Sequence, residues 1–131
     1  MKMRDVISLG EEQVNYEAYG YSPAVRSGGF LFVSGQVGAN GEGAAISDPV
    51  SQFRQAFANL GGVLEAAGCD FDDIVDITSF HVDMYTHFDV FAAVKQEIFP
   101  SRPFPNWTAI GVVNLADPDL LLEIKAIAKL P

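Results

Sequence analysis

Asp48-Pro49-Val50-Ser51-Gln52-Phe53 opens the stretch that decides the fold, and Ala66-Ala67-Gly68 closes it. Aspartate ahead of proline marks a helix start. The carboxylate can accept a free N–H of the first turn, and the fixed φ of proline suits the first helical position. Phe53, Phe57, Leu60, Leu64 and Ala67 then recur at helical spacing as one apolar stripe, and Gly68 supplies a left-handed stop. Gly61-Gly62 weakens the helix interior, either to admit a neighbouring backbone or as a tolerated cost. Downstream, Ile74-Val75-Asp76-Ile77-Thr78-Ser79-Phe80-His81-Val82 is rich in β-formers and predicts a central strand.

Working outward, Phe30-Leu31-Phe32-Val33-Ser34 lies between Gly28-Gly29 and Gly35 and predicts a buried strand. Val6-Ile7-Ser8-Leu9 is the best candidate for a first strand, and Asn40-Gly41 is a hairpin-type turn signal. Thr86 is placed to cap a second helix with Phe88, Phe91, Val94 and Ile98 on its apolar side. Pro100, Pro103 and Pro105 forbid its continuation beyond Phe99. Two strands follow, Trp107 to Asn114 and Leu120 to Ala128, separated by a turn at Asp117-Pro118-Asp119. This order predicts one α+β domain over residues 1–131: a mixed sheet, right-handed crossovers, and two helices on one face. Phe30, Phe32, Ile110, Val112 and Ile124 are too apolar for the uncovered face to meet water, so burial against copies of the chain is expected.

Charge narrows the function. The formal net charge is -9, from 17 acidic against 8 basic residues, and no basic stripe offers a grip on phosphates. Nucleic-acid and membrane-surface partners are disfavoured on that ground. A single cysteine, Cys69, rules out an intrachain disulfide and a cysteine-rich metal site. With no secretory leader pattern and no bilayer-length apolar run, a cytoplasmic protein is expected.

Several separated segments agree, in order, with one family. Tyr21-Ser22-Pro23-Ala24-Val25-Arg26 followed by Phe32-Val33-Ser34-Gly35-Gln36 resembles the opening signature of the YjgF/RidA family. Gln52, Phe57-Ala58-Asn59-Leu60 and Leu64-Glu65-Ala66-Ala67-Gly68 resemble its first helix, and Leu122-Glu123-Ile124-Lys125-Ala126-Ile127-Ala128 its last strand. The resemblance implies a chorismate-mutase-like α+β fold, a homotrimer, and small-metabolite sites in the clefts between subunits. It implies hydrolysis of reactive 2-imino acids and their enamine tautomers to 2-keto acids and ammonia, without metal or organic cofactor. Family members also carry the description of endoribonuclease, which the -9 charge argues against here.

That reaction needs a cation for the substrate carboxylate and a group to hold water at the imine carbon. In RidA-like chains the cation is an arginine after a Pro-x pair, and that position is Trp107 in Pro105-Asn106-Trp107-Thr108. An indole in its place removes about 1.5–3 kcal/mol of charge-assisted hydrogen bonding and favours an apolar or cationic ligand. Weak turnover of carboxylate-bearing imines follows as an expectation. Arg102, in Ser101-Arg102-Pro103, and Arg26 are the candidates to replace the missing guanidinium.

By the same resemblance Glu123 and Thr108 are the candidate catalytic residues, and Tyr21, Ser34, Gly35, Trp107 and Arg102 the substrate-binding ones. Each also has a plainer reading. Glu123 is either a cleft carboxylate that orients water or a charge on the solvent side of its strand. Trp107 is either a ligand wall or intersubunit core, and Tyr21 covers the cleft or packs. Lys125 reads as exposed. His81 with Asp83 makes an acid–base pair only if the strand continues through both; otherwise His81 is a satisfied structural histidine. Cys69 follows a helix C-terminus, the wrong end to activate a thiol.

Overall fold

A computed structural model describes residues 3–131, apart from the side chains of Glu11 and Val14. The stretch from Asp48 to Gly68 folds as its local chemistry requires. Helix α2 runs Pro49–Ala66, with Asp48 as N-cap accepting from the Ser51 N–H at 3.0 Å. At its other end Cys69 N donates to Leu64 O and Gly68 N to Glu65 O, with Gly68 at φ +77. This is the paired capping pattern that satisfies the last carbonyls of a helix. Gly61 makes room for the Phe71 ring, which would lie 3.0 Å from an added Cβ, and Gly62 faces open space.

Around α2 the chain forms strands β1 (Asp5–Val6), β2 (Ala24–Ser27), β3 (Phe30–Val37), β4 (Ile74–Val82), β5 (Asn106–Val112) and β6 (Leu122–Lys129). Two further helices are α1 (Gln13–Tyr19) and α3 (Met84–Ile98). The strands make one mixed sheet in the order β1-β2-β3-β6-β4-β5, antiparallel except for the parallel pair β4 and β5. Hence β6, the last strand, enters between β3 and β4. Strand β2 and helix α1 have no counterpart in the sequence reading. β2 is short and mixed in character, but Gly28 and Gly29 at φ +60 and +84 make the two-residue hairpin turn that pairs it with β3. Asn40 organises a turn, accepting from Glu42 N and Ala44 N, yet this turn leads into α2 and joins no two strands of the sheet. Helix α3 starts two residues before the expected cap: Thr86 lies within its first turn and donates to Asp83.

The core lies between the sheet and helices α2 and α3. Phe53, Phe57, Leu60 and Leu64 of α2 and Phe91 of α3 are fully buried against Leu31, Ile77, Leu122, Ile124 and Ala126. Each such phenylalanine or leucine contributes about 1.5–3 kcal/mol of transfer free energy. The opposite sheet face keeps Phe30, Phe32 and Ile110 at 40%, 42% and 40% exposure. Ile124 does not join them: in β6 the residues Leu122, Ile124, Ala126 and Ala128 point under the helices, so period-two alternation puts Glu123, Lys125 and Ile127 on the open face.

Candidate functional site

Glu123 is an acidic group that the open face half-buries. It pairs in register with Val37 of β3 and Phe80 of β4. Between Val33 and Gln36 the β3 register shifts, and Gly35 falls in that irregularity. A Cβ on Gly35 would stand 2.6 Å from Glu123 Cδ and 2.7 Å from Oε2, so the carboxylate lies across the bare glycine. Burial there pushes the Glu123 pKa above the usual carboxylate range.

Tyr21 sits beside this pair. Its phenol pKa is raised by burial first, then by Tyr16 and by the negative charge of Glu123. Its ring meets Tyr16 edge-on, with centroids 4.9 Å apart. Tyr16 in turn exchanges hydrogen bonds with the Gln36 side chain at 3.2 and 3.4 Å. Ser34 anchors the same corner, donating from Oγ to Ser22 O at 2.7 Å while its N–H donates to Pro23 O. Tyr16, Tyr21, Gly35 and Gln36 line a groove of about 930 Å³ together with Gln55 and Asn59 of α2, and Glu123 does not line it. Asn59 ties α2 to this end of β3 by donating to Val37 O and Ala39 O. Gln36 and Asn59 belong to the family-like runs of the sequence but not to its candidate site residues, and Tyr16 belongs to neither; the Ser-Gly-Gln run is the available signal for Gln36.

The other candidates are placed differently. Thr108 shares the open face but not a strand pair with Glu123, because β4 runs between β5 and β6: Thr108 lies opposite Thr78, and Thr78 opposite Lys125. The short connection between β5 and β6 does not make them neighbours, because β6 inserts between β3 and β4.

Trp107 lies on the other face altogether. It is in register with the buried Ile77, its Nε1 donates to the buried Ser79 Oγ at 2.9 Å, and its ring stacks on Phe88 at 5.7 Å and 9°. Lys95 sits over the ring, Nζ 4.3 Å from a ring centroid. Within one chain, then, Tyr21, Ser34, Gly35 and Glu123 come together, Thr108 stands two strands away, and Trp107 is separated from Glu123 by the sheet. Asn106 and Thr108 are the residues that β5 turns towards the open face at this point.

Neither arginine reaches Glu123. Arg26 is opposite the buried Leu31, on the helix side, and is held by Asp5 at 3.0 Å. Arg102 is exposed in the loop between α3 and β5. His81 is a satisfied core residue: Nε2 lies 2.7 Å from Ser79 Oγ, and burial lowers its pKa. Asp83 leaves the strand in a left-handed conformation and faces His87 instead, so no acid–base pair forms. Cys69 is buried with its thiol pKa raised by desolvation. Among the described residues no cluster of His, Cys, Asp or Glu is arranged to hold a metal ion, and no helix is long and apolar enough to cross a membrane.

Comparison with known proteins agrees with this fold. A family model described as Endoribonuclease L-PSP matches residues 13–130. The RutC family protein YjgH of Escherichia coli (strain K12) is 53% identical over 116 residues, which is 88% of this chain and 87% of that protein. A solved structure of protein YJGH superposes with a TM-score of 0.91 at 48% identity, covering 98% of this chain and 97% of the other. The Homo sapiens protein named 2-iminobutanoate/2-iminopropanoate deaminase is 34% identical over 110 residues, covering 82% of this chain and 78% of that protein. A family match over nearly the whole chain, carried on a shared mixed sheet, places this protein in the Endoribonuclease L-PSP family, the family of YjgF and RidA.

Proposed function

We propose that the chain is a cofactor-free hydrolase that deaminates a small reactive imine or its enamine tautomer, working as a homotrimer with its sites in the clefts between subunits. The observation that carries this reading is the Glu123 carboxylate, half-buried across Gly35 on a sheet face that leaves Phe30, Phe32 and Ile110 uncovered. A carboxylate whose pKa is raised by burial is a better general base near neutral pH. It accepts a proton from water as the water oxygen bonds to the imine carbon, and the protonated carboxyl returns that proton to the nitrogen, giving a carbinolamine. Glu123 then takes the carbinolamine hydroxyl proton and passes it to the amino nitrogen as the C–N bond breaks, so that ammonia and a carbonyl product leave. The balance is imine plus water giving carbonyl compound plus ammonia.

Covering the open face with copies of the chain would remove Phe30, Phe32 and Ile110 from water and complete the cleft around Glu123. The deaminase name of the human relative supports the same class of reaction. A second reading, ligand binding without turnover, draws on one observation: among the described residues no arginine pairs with Glu123. A coupled assay that generates 2-aminoacrylate in situ and follows pyruvate separates the two. Faster pyruvate release with the protein, lost in Glu123→Gln, supports the hydrolase; no acceleration above the spontaneous rate leaves the binding protein.

A further inference from the structure

We propose that Lys125 is a specificity-determining residue that supplies the positive charge holding a substrate carboxylate beside Glu123. This rests on the imine-hydrolase reading. Glu123 and Lys125 alternate onto the same face of β6 two residues apart, about 6.6 Å along the strand. That spacing suits a small 2-imino acid, with its carboxylate at Nζ and its imine carbon next to a water held by Glu123.

The register surrounds Lys125 with groups suited to an anion. On one side it meets Thr78 of β4, and beyond that Thr108 of β5, so two hydroxyls line up with the ammonium across the sheet. On the other side it falls opposite the Ser34-Gly35 irregularity of β3, where the ladder shifts between Val33 and Gln36. The neighbouring row is Val37, Glu123, Phe80 and Ile110, apolar apart from the carboxylate.

Both charges are also unspent. The salt bridges among the described residues are Arg26 with Asp5, Arg54 with Glu97 and His87 with Asp83; none involves Lys125 or Glu123. Other cations are engaged or distant. Lys95 lies over the Trp107 ring on the helix side, and Lys129 is about 13 Å further along β6 than Lys125. The acidic residues on this face, Glu123 and Asp76, make no ion pair with Lys125, so a substrate carboxylate can serve as its counter-charge when copies of the chain enclose it. Lysine is a point charge without the bidentate fork of arginine, so the affinity is lower than an arginine would give.

The test compares wild type, Lys125→Met and Lys125→Arg on two imines made in situ, 2-iminopropanoate from an amino-acid oxidase and ethanimine from an amine oxidase. The kcat/KM ratio of the carboxylate-bearing over the carboxylate-free imine should fall at least about tenfold in Lys125→Met, chiefly through KM, and be largely restored in Lys125→Arg. An unchanged ratio overturns the proposal, and so does an equal loss on both substrates. A parallel NMR titration with pyruvate needs no turnover. If wild type hydrolyses neither imine, the hydrolase reading fails, yet pyruvate binding that weakens about tenfold in Lys125→Met still supports the carboxylate site. Pyruvate that binds both proteins equally, or neither, overturns it.

Discussion

Glu123 and Gly35 interlock: the carboxylate occupies the space where a Cβ on residue 35 would be, 2.6 Å from Glu123 Cδ. The backbone of Gly35 is not left-handed, so an alanine there is tolerated by φ and ψ and must instead displace the glutamate. Gly35→Ala is therefore a probe of Glu123 position. We expect imine turnover to fall about 10- to 100-fold, the scale of a misplacement near 1 Å, with the melting temperature little changed. Full activity in a folded Gly35→Ala protein would mean that the position of Glu123 over this glycine is irrelevant to the chemistry.

Burial of Glu123 has a thermodynamic sign. Its folded pKa is raised, so the native state holds the proton more tightly than the unfolded chain does. Stability is then greatest below the unfolded carboxylate pKa, falls as pH rises through the window up to the folded pKa, and stays reduced above it. Glu123→Gln should be more stable than wild type at pH 7, with the difference shrinking toward pH 4, while turnover is lost. Urea titrations of both proteins across that range measure it; a glutamine variant less stable at pH 7 would contradict the desolvation account.

The indole of Trp107 acts on stability through Ser79. Trp107→Phe keeps a ring to stack on Phe88 but removes the Nε1 donor, leaving Ser79 Oγ with His81 alone. A loss of roughly 1 kcal/mol is expected, read as a lower urea midpoint at unchanged m. Loss of turnover with no loss of stability would return the indole to the ligand.

The apolar open face should determine assembly. Light scattering of wild type is expected at about three times the chain mass of 14.1 kDa. Phe32→Glu places a charge on a residue that is 42% exposed in the single chain, where it costs the isolated fold little and opposes packing of that face against copies. A smaller species with native circular dichroism is the predicted outcome. Wild type running as a monomer at micromolar concentration would remove the basis for an intersubunit cleft.

Local chemistry alone determined a good part of this protein. Helix α2 was legible from Asp48, Pro49 and Gly68 because caps and a 3.6-residue stripe involve contacts within one or two turns. Strand β4 was legible from its β-branched run, and the family from motifs near Tyr21, Ser34 and Glu123. Tertiary structure decided which face each strand residue takes. Side chains alternate every residue, so a one-position change of register moves a side chain through the sheet. Nothing adjacent to Trp107 in the chain signals that Ile77 will be its neighbour, and that pairing is what sends the indole under α3 while Asn106 and Thr108 face Glu123's side. The same holds for β6. Its last-minute entry between β3 and β4 is a contact between residues far apart in sequence, and it alone sets Glu123 against Gly35 and Lys125 beside Thr78.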